Sequence, residues 1–317
     1  MKKVFIDGSA GTTGLNIRER LKNRQGIELL ALEEEKRKDV DARLSMIREA
    51  DAAFLCLPDA ASAEIAGLAQ DLDTVLIDTS TAHRTAPGWT YGLPELKGQR
   101  EKIARADRIA NPGCHATGYI VLTAPLSEAG IIDPEKALPF TSLTGYSGGG
   151  KKMIADYEAP EREPLLKAPR LYGLSQHHKH LPEMVQYSGI NAAPVFCPVV
   201  GDFYSGMEAI VALDAGAVAA NDSEAAERIY KIYEDYYGDS DIIKVRRECD
   251  EGGFLSAAAF SGKDLLEISV WGGEGRITLV ARYDNLGKGA SGAAIQNMNI
   301  ALGFPETEGL LLGAVNP

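Results

Sequence analysis

Apolar positions in the first quarter of the chain fall in short runs separated by stretches of helical spacing. Lys3–Asp7 carries Val4-Phe5-Ile6 and stops at Asp7-Gly8, and Ile27–Leu32, Ala52–Leu57 and Thr74–Asp78 are further runs of strand length. Between them, the segment up to about Arg24, Val40–Ala50 and Ala60–Gln70 repeat their apolar residues with a helical period. This alternation predicts a parallel sheet with right-handed crossovers, the doubly wound α/β class. Past residue 114 the texture changes. Strand-like stretches at Pro139–Thr144, Met207–Leu213, Gly253–Ala259, Leu265–Val270 and Ile277–Ala281 outnumber helices, of which Ser223–Tyr237 is the clearest. This half reads as an α+β domain on a mainly antiparallel sheet. Gly287–Gly303 returns to a helical pattern, with Gly289, Ala290, Gly292, Ala293 and Ala294 small enough for very close packing.

Length and composition narrow the class without choosing a reaction. The 317 residues correspond to about two domains, and the 45% apolar fraction is enough for a real core. A net charge of −12 argues against nucleic-acid and membrane partners. The first apolar run is too short for a signal peptide, and no stretch approaches the roughly 18 apolar residues of a membrane span. The four cysteines are far apart, with no CxxC pair, which predicts reduced thiols and a cytoplasmic protein. Cys56, Cys197 and Cys249 lie in apolar or mixed runs and read as core thiols.

Cys114 differs. Asn111-Pro112-Gly113-Cys114 is a turn followed by the helical run His115–Leu122, which sets the thiol at a helix N-terminus. Unpaired amides and the positive end of the macrodipole favour a thiolate there, and the same N–H groups suit an oxyanion formed at an acyl carbon. Near the start of the chain, Gly8-Ser9-Ala10-Gly11-Thr12-Thr13-Gly14 follows a strand and opens a helix, the context in which a glycine turn cradles a pyrophosphate. Glu33 to Glu35 suit ribose hydroxyls and Lys36 to Lys38 suit a 2′-phosphate, so these residues leave NAD and NADP both open.

All five histidines lie between His83 and His180. His177-His178-Lys179-His180 is not read as a metal site, because adjacent histidines diverge and no further ligand stands at metal spacing. His180, before a proline and three residues ahead of Glu183, has the setting of a general base oriented by that carboxylate. Asp78–Arg84, with Ser80, sits at the carboxyl end of a predicted strand, where open parallel sheets make ligand contacts. Tyr146–Lys152 is a glycine-rich loop ending in two lysines, suited to a phosphate or carboxylate.

Taken in order, Gly8–Gly14, Asp78–Arg84, Asn111–Cys114, Ser147–Lys151, His180–Glu183 and Asn285–Ala290 resemble the N-acetyl-γ-glutamyl-phosphate reductase family, in its shorter-chain branch. The resemblance implies a Rossmann-type NADP-binding domain, residues 1–114 completed by 285–317. Into it is inserted a catalytic and dimerisation domain, residues 115–284. It implies Cys114 as nucleophile, His180 as base, and Asn285, Gly287, Lys288, Gly289 and Ala290 against the nicotinamide half of NADP. Gly8 to Gly14 and Ser80 complete the expected cofactor set, and Arg84, Asn111, Ser147, Lys151 and Glu183 are the expected substrate residues. The expected reaction is NADPH-dependent reduction of the acyl phosphate to the semialdehyde through a cysteine thioester. Where the longer branch has an aromatic residue after the nucleophile, this chain has His115, and Lys151 stands near a position that branch fills with arginine. Alternatives are an aspartate-semialdehyde dehydrogenase, a reductase of carrier-linked acyl phosphates and a silent NADP-binding sensor. By analogy with such dehydrogenases the chain is expected to form a homodimer or homotetramer.

Overall fold

The structure, a computed structural model, describes residues 1–9, 11–214, 224–273 and 275–313. The chain divides into two compact units, one of Met1–Pro112 with Ala290–Leu310 and one of Gly113–Gly289 with Leu311–Pro317.

In the first unit β1 (Lys2–Asp7), α1 (Thr12–Leu21), β2 (Ile27–Leu30), α2 (Val40–Glu49), β3 (Ala52–Leu55), α3 (Asp59–Leu68) and β4 (Val75–Asp78) alternate as their sequence periods require. The short strand β5 (Thr90–Tyr91), the helix α4 (Gln99–Ile103) and β6 (Arg108–Ala110) follow. The six strands form a sheet in the order β2-β1-β3-β4-β6-β5, every pairing parallel. Both faces are apolar because both are covered. Val4, Ile6, Phe54, Ile77 and Ile109 pack on one side, and Phe5, Ala53, Leu55 and Leu76 on the other. Strand order reverses between β1 and β3, so the crevice at their carboxyl ends is where this topology takes a ligand.

The second unit opens with α5 (Cys114–Glu128), which is buried from His115 to Leu126. Pro125 has no N–H to return to Val121, and Tyr237 Oη supplies that carbonyl's hydrogen bond at 2.9 Å instead. Next come β7 (Pro139–Gly145), α6 (Gly150–Glu158), β8 (Arg170–Leu171), α7 (Leu181–Ser188), β9 (Val195–Gly201) and β10 (Met207–Asp214). The unit continues with α8 (Ala225–Tyr237), β11 (Ile243–Val245), β12 (Leu266–Gly273) and β13 (Arg276–Tyr283). The seven strands lie in the order β11-β12-β13-β10-β7-β9-β8. Antiparallel pairings dominate, but β7–β9 and β11–β12 are parallel. On β10, Met207, Ala209, Val211 and Leu213 face the helices, the alternation of a sheet covered on one side. A one-turn π-helix, Gly287–Ser291, then leads into α9 (Gly292–Leu302), which returns to the first unit. Among the described residues no helix is long and apolar enough to cross a membrane.

One sequence expectation is corrected, and one strand was not foreseen. Gly253–Ala259 is an irregular loop rather than a strand. Gly252 and Gly253 both adopt positive φ there, and the turn is closed by its own contacts, Glu251 N–H to the Phe254 carbonyl and Ser256 N–H to Glu251 Oε2. The strand β9 was not anticipated, because Pro198 interrupts its pattern. Ser223, the expected first residue of the α8 helix, lies outside the described residues.

Candidate active site

At the end of β1 the chain turns at Gly8, whose φ is +85° and whose missing Cβ would stand 2.3 Å from the Cys56 carbonyl oxygen. A side chain is excluded twice over, by conformation and by contact. The glycine turn is thereby held against the chain leaving β3, at the switch point of the sheet. Gly14 is the second close approach, its absent Cβ 2.6 Å from the Gly8 oxygen. Helix α1 starts at Gly11 with no side-chain cap and no acidic residue in its first turn. A close backbone turn and an uncapped helix N-terminus fit a dinucleotide pyrophosphate. Gly8, Ser9, Gly11, Thr12, Thr13 and Gly14 form this turn, while Ala10 lies outside the described residues. Beyond β2, Lys36 pairs with Glu33 at 2.8 Å and Arg37 pairs with Glu34, so local charge is balanced and does not choose between NAD and NADP.

The loop after β4 is organised around Asp78, which is fully buried. Its carboxylate accepts hydrogen bonds from Ser62 Oγ (2.6 Å), Ser80 N–H (2.9 Å) and Ser80 Oγ (2.8 Å), and meets His83 Nδ1 at 2.6 Å. Burial works against the charge, but these donors outweigh it and hold the Asp78 carboxyl below its ordinary range. His83 is also stacked on Trp89, ring centroids 4.0 Å apart. Arg84 is buried and donates Nε to the Asn111 carbonyl at 2.9 Å and Nη2 to the Thr79 carbonyl at 3.3 Å.

In the second unit, Cys114 is the first residue of α5, following an N-cap at Gly113 that lacks a side-chain hydrogen bond. The Gly113 N–H donates to Glu183 Oε2 at 3.0 Å, from the first turn of α7. His180 is the N-cap residue of that same helix and is buried, so the two helix starts that carry Cys114 and His180 are tied together. Tyr283 Oη donates to the Cys114 carbonyl at 2.6 Å and accepts from the Gly118 N–H at 3.1 Å. Gly289 lies against Cys114: a Cβ there would stand 3.0 Å from both Cys114 Cβ and the Asp284 carbonyl oxygen.

An aromatic and imidazole cluster surrounds this point. His115 stands 5.6 Å, centroid to centroid, from both His178 and His180, which are 4.7 Å apart. The His180 N–H donates to His178 Nδ1 at 3.2 Å. His115 itself is engaged at both ring nitrogens, with Ser142 Oγ at 2.8 Å and Tyr172 Oη at 2.6 Å. Burial first, and His178 second, push its pKa down to about 3, so it stays neutral and serves as framework rather than base. Tyr172 was not anticipated from sequence. Its phenol is raised above the ordinary range by burial first and by Cys114 second, so it keeps its proton.

The comparisons with known proteins follow this division. Residues 3–106 match the family described as semialdehyde dehydrogenase, NAD binding domain, and residues 114–285 match semialdehyde dehydrogenase, dimerisation domain. N-acetyl-gamma-glutamyl-phosphate reductase 2 of Nostoc sp. is 42% identical, covering 97% of this chain and 99% of its own. The N-acetyl-gamma-glutamyl-phosphate reductase of Brucella anthropi is 44% identical over 95% of this chain and 98% of its own.

The chain belongs to the N-acetyl-gamma-glutamyl-phosphate reductase family, among the semialdehyde dehydrogenases.

The fold is also that of aspartate semialdehyde dehydrogenase II from Vibrio cholerae, solved in complex with ASA (TM-score 0.71, 19% identity, 95% of this chain and 98% of that one). The Candida albicans aspartate semialdehyde dehydrogenase, solved with NADP, aligns with a TM-score of 0.65 at 13% identity over 95% of this chain and 99% of its own.

Several residues expected to touch ligands in this reductase family make hydrogen bonds to the framework. Asn111 is 1% exposed, with Nδ2 on the Ala290 carbonyl at 3.1 Å and Oδ1 taken by another amide. Ser147 is equally buried and accepts from Asn285 Nδ2 at 3.0 Å, while Asn285 Oδ1 takes the Gly206 N–H. Ser80 gives its hydroxyl to Asp78, and Glu183 turns to Gly113. His180 ends the loop that leads into α7, at its N-cap position and without a side-chain capping bond. Lys151 is exposed in the first turn of α6, and Lys288 is 1% exposed inside the π-turn. Nothing in the local sequence distinguishes a buried polar residue that ties loops from one that meets substrate; only the partner atom does.

Proposed function

We propose that Cys114 is the acyl-accepting nucleophile and His180 its base, in the reduction of N-acetyl-γ-glutamyl phosphate to N-acetylglutamate semialdehyde and phosphate. The observation that supports this reading best is the pairing of two helix starts, Cys114 on α5 and His180 on α7, through the Gly113–Glu183 hydrogen bond. The first three N–H groups of an α-helix have no intrahelical partner, so the turn beginning at Cys114 offers donors to an oxyanion. In other acyl-transfer enzymes one such donor is worth roughly 3 kcal/mol of transition-state stabilisation.

The Cys114 thiol passes its proton to His180, and the thiolate attacks the acyl phosphate carbon. Phosphate leaves, and a thioester remains on Sγ. The glycine turn between β1 and α1 would hold the pyrophosphate of NADPH and Gly287–Ala290 its nicotinamide half, and the bound cofactor would supply the hydride that reduces this carbon. The hemithioacetal then collapses, the C–S bond breaks, and the sulfur recovers its proton from His180. Tyr172, held protonated by burial and hydrogen-bonded to His115, supports the carbonyl oxygen or the sulfur during these steps.

The uncovered face of the second sheet offers a homodimer interface. Leu171 and Val195 are 51% and 54% exposed there, and Leu171, Val199 and Leu143 form a cross-strand apolar row. The four cysteines are free thiols, which suits a reducing cytoplasm.

The test is NADP reduction by N-acetylglutamate semialdehyde in the presence of phosphate, with aspartate semialdehyde as comparison. The reading expects turnover with the acetylated aldehyde and none after Cys114→Ser, with NADP binding retained. Turnover by the serine variant near the native rate overturns the nucleophile, and preference for aspartate semialdehyde overturns the substrate.

A further inference from the structure

Asn297 has no contact with ligand in any reading above, yet it sits among the hydrogen bonds that hold Asn111, three positions before Cys114 in the chain. It lies on α9, fully buried among Ala294, Ile295 and Met298, where an apolar side chain would pack at no polar cost. Its Nδ2 donates twice, to the Gly92 carbonyl at 2.9 Å and to Asn111 Oδ1 at 3.2 Å. Among the described residues its Oδ1 takes no hydrogen bond, so a buried acceptor is left unsatisfied for the sake of those two contacts. Gly92 is shaped around the same amide. A Cβ there would stand 2.3 Å from Asn297 Nδ2.

The residue so held is fixed on every side. Asn111 donates its N–H to the Asp78 carbonyl (2.8 Å) and Nδ2 to the Ala290 carbonyl (3.1 Å). It receives Arg84 Nε on its carbonyl (2.9 Å) and Asn297 Nδ2 on Oδ1. Two residues separate it from Cys114 in the chain. Asn111 precedes a proline, which confines its own backbone, Pro112 has its φ locked by the ring, and Gly113 then caps α5.

We infer that Asn297 is a positioning residue for the reaction: its amide sets Asn111, and through Asn111-Pro112-Gly113 the start of the helix that presents Cys114. This rests on Cys114 being the nucleophile.

Three variants of the full chain test it: Asn297→Ala, Gly92→Ala and the pair together. Each is read by kcat, by NADP affinity and by the rate at which iodoacetamide alkylates Cys114, followed on its peptide by mass spectrometry. Loss of the amide, or a methyl forced against it, is expected to lower kcat by about 10- to 100-fold, the scale of a misplaced reacting group. Cys114 alkylation should change with it, while NADP affinity stays within about threefold, since no phosphate-binding residue is altered. The double variant should be no worse than Asn297→Ala, because the new methyl occupies the space that the amide vacates. Single variants within about threefold of the parent kcat, or losses that multiply in the double variant, overturn the inference. If Asn297→Ala does not fold, Gly92→Ala, which keeps every polar group, decides the matter by the same criterion. Failure of the parent reading looks different: the unmodified enzyme would keep its activity after Cys114 is fully alkylated, whatever the variants do.

Discussion

Glu183 Oε2 accepts the Gly113 N–H at 3.0 Å, joining the first turn of α7 to the N-cap of the helix that begins with Cys114. Glu183 is 1% exposed, so removing its carboxylate leaves that N–H buried without an acceptor. Glu183→Ala should cost about 1–3 kcal/mol of stability in urea unfolding and slow turnover. Glu183→Gln keeps an acceptor oxygen of the same reach and should lose much less. Equal losses in both variants would mean that the negative charge, rather than the hydrogen bond, is what the site uses.

Tyr283 Oη bridges the Cys114 carbonyl and the Gly118 N–H from a fully buried position on β13. Tyr283→Phe keeps the ring and removes both bonds. The phenol's two hydrogen bonds to the first turn of α5 are then lost, and the expected destabilisation is about 1 kcal/mol, read by urea or thermal unfolding. Unchanged stability would show that α5 is held by packing alone.

His115 is neutral in the folded chain, with its pKa pushed from 6.5 down to about 3. The unfolded chain binds a proton there below pH 6.5 and the folded chain does not, so stability falls as pH drops through this window. Each pH unit within it is worth about 1.4 kcal/mol, giving a loss of about 2 kcal/mol between pH 6.5 and pH 5 from this one group. Unfolding free energies at the two pH values, for the parent and for His115→Gln, check it. The substituted chain should lack this increment of pH dependence.

Gly8→Ala meets both a left-handed backbone and a carbonyl oxygen 2.3 Å away. The turn must shift, so NADPH affinity in a fluorescence titration should fall by at least about tenfold.

Much of the fold was legible because it is written in local periods. The strands β1 to β4 and the helices between them follow directly from short apolar runs and helical spacing, since a parallel sheet covered on both faces needs both. The failures have local causes too. Gly253–Ala259 has a strand-like composition, but two positive-φ glycines bend it into a loop, and β9 is masked by Pro198, which sits within a strand.

The site divides along the same line. Cys114 at a helix start and the Gly8–Gly14 turn are local signals, because a turn, an uncapped helix and the residue beside them are neighbours in sequence. The sequence by itself therefore determined the class of the sheet, the glycine turn at the end of its first strand and the position of Cys114 at a helix start, all of which depend on residues a few positions apart. The tertiary structure decided the rest. His115, next to Cys114 in sequence, is a neutral framework group, Tyr172 meets its ring nitrogen, and Asn111 is held by Asn297 from 186 residues away. Whether a polar side chain faces a substrate or another amide depends on which distant atom folding brings to it, and no local pattern encodes that partner.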